Sequence, residues 1–400
     1  MMDNALELQK HAKYDINILM LTRVLRNFYF GYLSFLLPLF LRFHGFSYMD
    51  VGLYALLTTI SSSVLVLISG FFGDLYSRKK MLVIMSSLSI FFLVIVISTT
   101  NYTLLMVSSV FGITLSGIGG GAGGGPIAPL INAMVADRVK VRRTMVYSSL
   151  TSLGIFSAVF GSMLSAVISA KYADYFTILF TVALVLSVIS VILTMTISEW
   201  KVERAPEKKK VLPTRSGKSI IYISFAGALG SLGLGIILPL LSIWFHDVGL
   251  SMPIISVIFA LSYIVSAITV NFSSFFERWI GSINSIVLFR ALGSVLLIFI
   301  PFVPILFSVI LFIARTAFYQ MALPVRQNFS MNLFTPEERS RGSSITGIFR
   351  RLPYGFATEL GSVMFTLSIA SLAFVSAGMI SVLDPVFYYM FFKDLTTADH

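Results

Sequence analysis

Arg315, Tyr319, Ala322 and Arg326 recur at i, i+4, i+7 and i+11 within the otherwise mostly apolar run 304–334. That spacing places all four on one face of a helix. Arg315 lies eleven residues past Pro304, about 16 Å along a helix axis, which is close to the midplane if the run crosses a hydrocarbon layer of about 30 Å. An unpaired guanidinium at that depth costs at least ~3 kcal/mol, so it must meet water, an acid or an anionic ligand. A second such face carries Arg23, Arg26 and Asn27, with Tyr29 and Tyr32 further along the same run. Seven arginines (23, 26, 290, 315, 326, 350 and 351) lie inside apolar runs away from their outer ends, against two acids well within such runs, Glu359 and Asp384. The surplus of cations calls for another counter-ion, and an anionic solute would supply it. Glu359 can pair with Arg315 or act as a protonatable group. Both readings are open, as are ligand contact and a structural ion pair for Arg315.

Other chemistries lack their residues. The chain has no Cys, which removes thiolate catalysis, disulfides, Fe–S clusters and the commonest zinc sites. Its four His, at 11, 44, 246 and 400, fall at helix ends or tails, so neither a metal site nor a Ser–His pair can be assembled within the apolar runs. Arg215 to Ser219 ends like a phosphate-binding loop, but Leu212 stands where the leading Gly belongs. Gly119 to Gly124 satisfies G-x-G-x-x-G inside an apolar run with no preceding strand, which does not describe a dinucleotide site. The Gly117 to Pro126 segment instead suggests either a bent, partly unwound helix or a close helix-packing surface. Asn101-Tyr102-Thr103 is a glycosylation pattern. No catalytic residue, metal or cofactor is expected, and the chain does not read as an enzyme.

The elements that must position these residues follow from composition. Of 400 residues 56% are hydrophobic and 36 are Phe, which excludes an ordinary water-soluble surface. Twelve stretches are long and apolar enough to span a bilayer as helices. They run 16–43, 48–73, 81–100, 102–135, 145–170 and 173–198, then 218–246, 250–276, 283–303, 304–334, 343–368 and 371–392. The first follows a polar, mixed-charge segment and no small-residue cleavage site, so it is expected to remain in the protein rather than act as a signal peptide. The one long polar connection, broken by Pro206 and Pro213, divides the chain into a six-helix bundle at 1–198, a linker at 199–217 and a second six-helix bundle at 218–400.

The formal charge of +11 has a location. With the N-terminus in the cytoplasm, 20 of 29 Lys and Arg fall on the cytoplasmic side and only Arg42 and Lys171 near the outer ends. Both termini are therefore expected in the cytoplasm of a multi-pass cell-membrane protein, and nucleic acid is not needed to explain the charge. The halves also echo each other: Leu37-Pro38-Leu39 and Leu238-Pro239-Leu240, Gly45-Phe46-Ser47 and Gly249-Leu250-Ser251, Asp74 and Glu277, Pro129 and Pro324. Four matches in one order at nearly constant offset indicate a duplicated six-helix unit.

The turn after the second stretch, with Gly70, Asp74, Arg78 and Lys79 in register, resembles the loop signature of the major facilitator superfamily; Leu75 and Ser77 depart from it. The resemblance covers the whole chain and implies an all-α fold of twelve transmembrane helices in two pseudo-symmetric bundles. It further implies a cytoplasmic gate formed by Gly70, Asp74, Arg78 and Lys79, with Glu277 as a weaker second copy. Carrying over the family's cavity-lining helices makes Arg26, Asn27, Tyr32, Arg315 and Tyr319 candidates for substrate contact; Glu359 and Asp384, as carboxyls within apolar runs, are the candidates for proton coupling. Ile113 stands where many proton-coupled members have Arg, and neither the drug-antiporter nor the sugar-porter signature is present. The resemblance leads to the expectation of a monomeric secondary transporter of a small organic solute that works by alternating access and is coupled to a proton gradient, and the arginine surplus makes that solute an anion. The alternatives are a multidrug or metabolite exporter and a non-transporting membrane receptor.

Overall fold

The computed structural model describes residues 2–75, 77–111, 125–138, 143–199, 216–335 and 339–395. Helix is the only regular structure among them. The elements are α1 (Met2–Phe43), α2 (Tyr48–Leu75), α3 (Arg78–Ser98), α4 (Tyr102–Ser108), α5 (Ala128–Arg138), α6 (Arg143–Lys171), α7 (Tyr175–Met195), α8 (Gly217–Ile237), α9 (Leu241–Asp247), α10 (Met252–Thr269), α11 (Ser273–Ile280), α12 (Ser282–Phe299), α13 (Ile305–Leu333), α14 (Arg339–Thr366) and α15 (Ala370–Phe392).

Ten helical segments among the described residues are long and apolar enough to cross a membrane, against the expected twelve. The two shortfalls have different reasons. The fourth stretch appears as α4, a short 3-10 turn to Phe111, and α5, while 112–124 lie outside the described residues, as does the bend expected in that glycine run. The eleventh is α14, whose Arg350, Arg351 and Glu359 make it too polar to qualify by composition. Boundaries also moved. Helix α1 begins at Met2, well before the apolar residues, so the polar N-terminal segment is helical too. The seventh stretch is interrupted by a 3-10 turn at Leu238–Leu240, because Pro239 has no N–H to donate to the preceding turn. The eighth is interrupted at Val270–Phe272 and then runs on to Ile280. The repeated Gly turns are alike in geometry: Gly45 and Gly249 have φ of 87° and 95°, a left-handed conformation that only Gly adopts at no steric cost.

Two compact units are present, each including a short segment from the opposite half of the sequence. The first comprises 1–44, 60–206 and 251–260. Its core packs Ile16, Leu19, Leu82, Ile131, Val135, Leu150 and Ile197. Helices α1 and α6 cross with almost no side chain between them: a Cβ on Gly31 would strike the Ala158 backbone, and one on Gly161 the Phe28 carbonyl. Below this crossing Arg138 donates from Nε to Asp15 Oδ2 and from Nη2 to the Ser198 carbonyl, both at 2.8 Å, and the Ser198 N–H donates to Asp15 Oδ1 at 2.9 Å. That buried knot joins α1, the end of α5 and the residues just after α7.

The second unit comprises 45–59, 207–250 and 261–400. Ile220, Ile223, Ile286, Val325, Tyr388 and Phe392 form one core cluster. Helices α8 and α14 cross as closely as α1 and α6: Gly235 abuts the Tyr354 carbonyl and Gly361 the Ile236 carbonyl. The beginning of α2 is held here, where Thr358 Oγ1 donates to the Gly52 carbonyl at 3.2 Å and Tyr48 Oη to Asp247 Oδ2 at 2.7 Å.

Candidate functional site

Four helices of the second unit, α12 to α15, bring charge into its interior, against the glycine face of α8. Arg315, Arg290 and Arg326 are 2%, 3% and 4% exposed, and Asp384 is fully buried. Asp384 ion-pairs with Arg290 Nε and, at 3.5 Å, with Arg326 Nη1. Two glycines of α8 make the room. A Cβ on Gly230 would collide with the Arg290 guanidinium and the Asp384 carboxylate, and one on Gly227 would meet Arg326 Nη2 and the Arg350 side chain. A larger residue at either position would displace the ionic groups, so the glycines set where the network sits.

Tyr319 is the centre of the arrangement. The guanidinium of Arg290 lies 4.5 Å from its ring centroid and that of Arg315 lies 5.5 Å from it. The ring's negative face attracts both cations. Arg326 lies against Tyr388 instead, at 5.5 Å. Arg350 is exposed and interacts electrostatically with Arg326, Arg290, Tyr319 and Asp384. Arg315 differs from the rest of the group. It makes no ion pair with an acid among the described residues, its Nε has no hydrogen-bond partner there, and nearby Tyr354 Oη has none either. The anticipated Arg315–Glu359 pair does not form: Glu359 is half-buried and interacts electrostatically with Asp50. Asp384, considered above as a proton-coupling acid, is placed as the shared counter-ion of two arginines.

In the first unit Arg26 is half-buried and its Nε donates to the Thr22 carbonyl at 3.3 Å. Asn27 is buried against Gly154, and its Nδ2 has no hydrogen-bond partner among the described residues. Tyr32 is fully buried and donates to the Leu179 carbonyl at 2.8 Å, a bond that ties α1 to α7. In the turn before α3, Ser77 caps the helix by accepting from the Lys80 N–H, and Arg78 Nη1 donates to the Ala133 carbonyl at 3.3 Å. Lys79 is half-buried, and the side chain of Asp74 and the environment of Gly70 lie outside the described residues. Glu277 Oε1 accepts from Ser282 Oγ at 2.8 Å and from Asn328 Nδ2 at 3.4 Å, tying α11 to α12 and α13.

From the sequence, Arg290, Arg326 and Arg350 read as lip charges or as members of interhelix pairs; the second reading is the one found for Arg290 and Arg326, which meet Asp384 across helices, while Tyr354 was not singled out. The available signal was the Gly227, Gly230, Gly233 spacing, one glycine per helical turn on a single face, which marks a surface kept clear for large neighbours.

A family model described as Major Facilitator Superfamily matches residues 19–358. The chain belongs to the major facilitator superfamily. It is accordingly a membrane protein of many spans, with the all-helical fold of that superfamily. A search of curated protein sequences finds no match. Solved structures of similar fold include an auto-inhibited POT family peptide transporter, at 12% identity and TM-score 0.75 over 95% of this chain and 96% of that one. A bacterial homologue of the iron transporter ferroportin, in an inward-facing state, is similar at 16% identity and TM-score 0.72 over 94% and 98%. A D-xylose–proton symporter is similar at 14% identity and TM-score 0.70 over 94% and 98%. At such identities the likeness is one of fold, and what a superfamily member carries has to be read from its own residues.

Proposed function

We propose that this superfamily member is a secondary transporter of a small organic anion, that it works by alternating access, and that transport is coupled to a proton gradient. The observation that carries the anionic substrate is Arg315: a guanidinium 2% exposed, without an acid partner among the described residues, beside two further arginines that share the single carboxylate of Asp384. Buried unpaired charge is expensive, and a transported anion that arrives at the site offsets that cost while it is bound. Tyr319 and Arg315 contact the solute in this reading. Arg26 and Asn27 belong to the corresponding helix of the first half and are the candidate contacts there. Glu359, half-buried and without an ion pair among the described residues, is the proton-carrying group. Both termini face the cytoplasm by the distribution of Lys and Arg.

The test is flux. In proteoliposomes holding the full chain, an anionic solute should drive a pH change and accumulate on imposing a proton gradient. Arg315→Gln should abolish uptake, and Glu359→Gln should uncouple it from the gradient while leaving exchange of solute for solute. Uptake unaffected by Arg315→Gln would remove that residue from the site. Saturable binding without flux would favour a receptor built on the same fold.

A further inference from the structure

Resting on the anionic-substrate reading, the charge and donor inventory of the site narrows the class of anion. Arg290, Arg315, Arg326 and Arg350 converge on Tyr319, Tyr388 and one carboxylate, Asp384. Four guanidiniums against one carboxylate leave three positive charges over, of which a monoanion would neutralise only one. The donor count points the same way. Arg315 Nε and Tyr354 Oη are both buried, both lack an acceptor among the described residues, and interact electrostatically with each other's side chains. Two buried orphaned donors on electrostatically interacting side chains call for oxygen acceptors, and a guanidinium fork suits a multi-oxygen anion. Arg290 and Arg326 are already engaged by Asp384, so Arg315 has its donors free for a ligand, and Arg350 is the exposed cation from which an arriving anion can be handed inward.

We propose that the site around Tyr319 takes a doubly charged oxyanion, of the kind presented by a phosphate monoester or a dicarboxylate. Arg315 and Tyr354 bind it directly, Arg350 receives it from solvent, and the Arg290–Asp384–Arg326 group forms a cationic floor that is pinned in place and does not itself have to move.

Thermal unfolding of the purified full chain in detergent tests this, at mildly alkaline pH and constant ionic strength, with methyl phosphate, succinate or acetate as the added anion. Methyl phosphate or succinate should raise the midpoint saturably by several degrees, and acetate should not; whichever dianion saturates at lower concentration names the headgroup. Tyr354→Phe should weaken the apparent affinity about tenfold, and Arg315→Gln about a hundredfold. If Arg315→Gln does not fold, Tyr354→Phe and Arg350→Gln carry the same test at the same site. Acetate acting as strongly as the dianions would overturn the dianion assignment and leave the anionic reading standing. Indifference to all three would overturn both, and a dianion response kept in full by the Tyr354 and Arg315 variants would place the binding elsewhere.

Discussion

Asp384 is the residue on which the second unit's electrostatics turn. It is fully buried and holds Arg290 and Arg326 together. Removing one partner of such a group leaves the others charged in a medium that solvates them poorly, at a cost of ~3–5 kcal/mol. Asp384→Asn should therefore lower the unfolding midpoint of the protein in detergent by far more than Glu359→Gln, whose carboxyl is only half-buried. Equal effects of the two substitutions would mean that the ion pairs contribute no net stability. Sequence alone singled out Arg315 and Tyr319 as a pair, because both sit on one helical face. It did not reveal which acid meets which arginine. Partner choice depends on how α12, α13 and α15 are rotated about their axes, and a hydrophobic run as uniform as these does not encode that rotation in one dimension.

At the scale of elements, two devices tie helices together and each makes a prediction. The knot of Asp15, Arg138 and Ser198 joins three chain segments by three bonds of 2.8 to 2.9 Å. Asp15→Asn should destabilise the protein by ~3 kcal/mol or more, and adding Arg138→Gln to it should recover part of the loss, because the second change removes the stranded charge. A double variant as unstable as the sum of the two singles would rule out coupling between them. Asp15 looked like one charge among many in a polar N-terminal segment, and only the helix running through that segment turns it toward Arg138. The second device is the pair of glycine crossings. Gly361→Ala would drive a Cβ into the Ile236 backbone, costing about 1–3 kcal/mol through forced separation of α8 and α14. Gly347→Ala on the same helix meets nothing within 4 Å and should be neutral or stabilising by up to ~1 kcal/mol. Thermal melts of the two variants side by side check the contrast, and equal midpoints would mean that the helices part without cost.

For the molecule as a whole, hydropathy over windows of about 20 residues marked twelve stretches, of which ten among the described residues are helices long and apolar enough to cross a membrane, as expected where unsatisfied backbone polar groups are excluded from hydrocarbon. Of the echoes read between the two halves, the Gly turns recur in backbone geometry, Gly45 and Gly249 both being left-handed, whereas Leu-Pro-Leu lies inside α1 in the first half and forms a 3-10 turn in the second. Absence of Cys makes the predicted orientation directly measurable, because any introduced cysteine is the sole thiol in the chain. Cysteines placed at Lys393 and at Gly249 should react with a membrane-impermeant maleimide from opposite sides of sealed vesicles; labelling from the same side would overturn the N-in, C-in assignment. The polarity of α14 has a consequence for biogenesis. With Arg350, Arg351 and Glu359 along its length, it is not among the helices that qualify by length and composition to cross a membrane, so its entry from the insertion machinery is expected to be assisted by α8, which is made earlier and crosses it at Gly235 and Gly361. Helices α8 and α14 would thus leave the translocon as an assembled pair, and a lesion on α8 that never touches the solute would surface as an insertion defect roughly a hundred residues downstream.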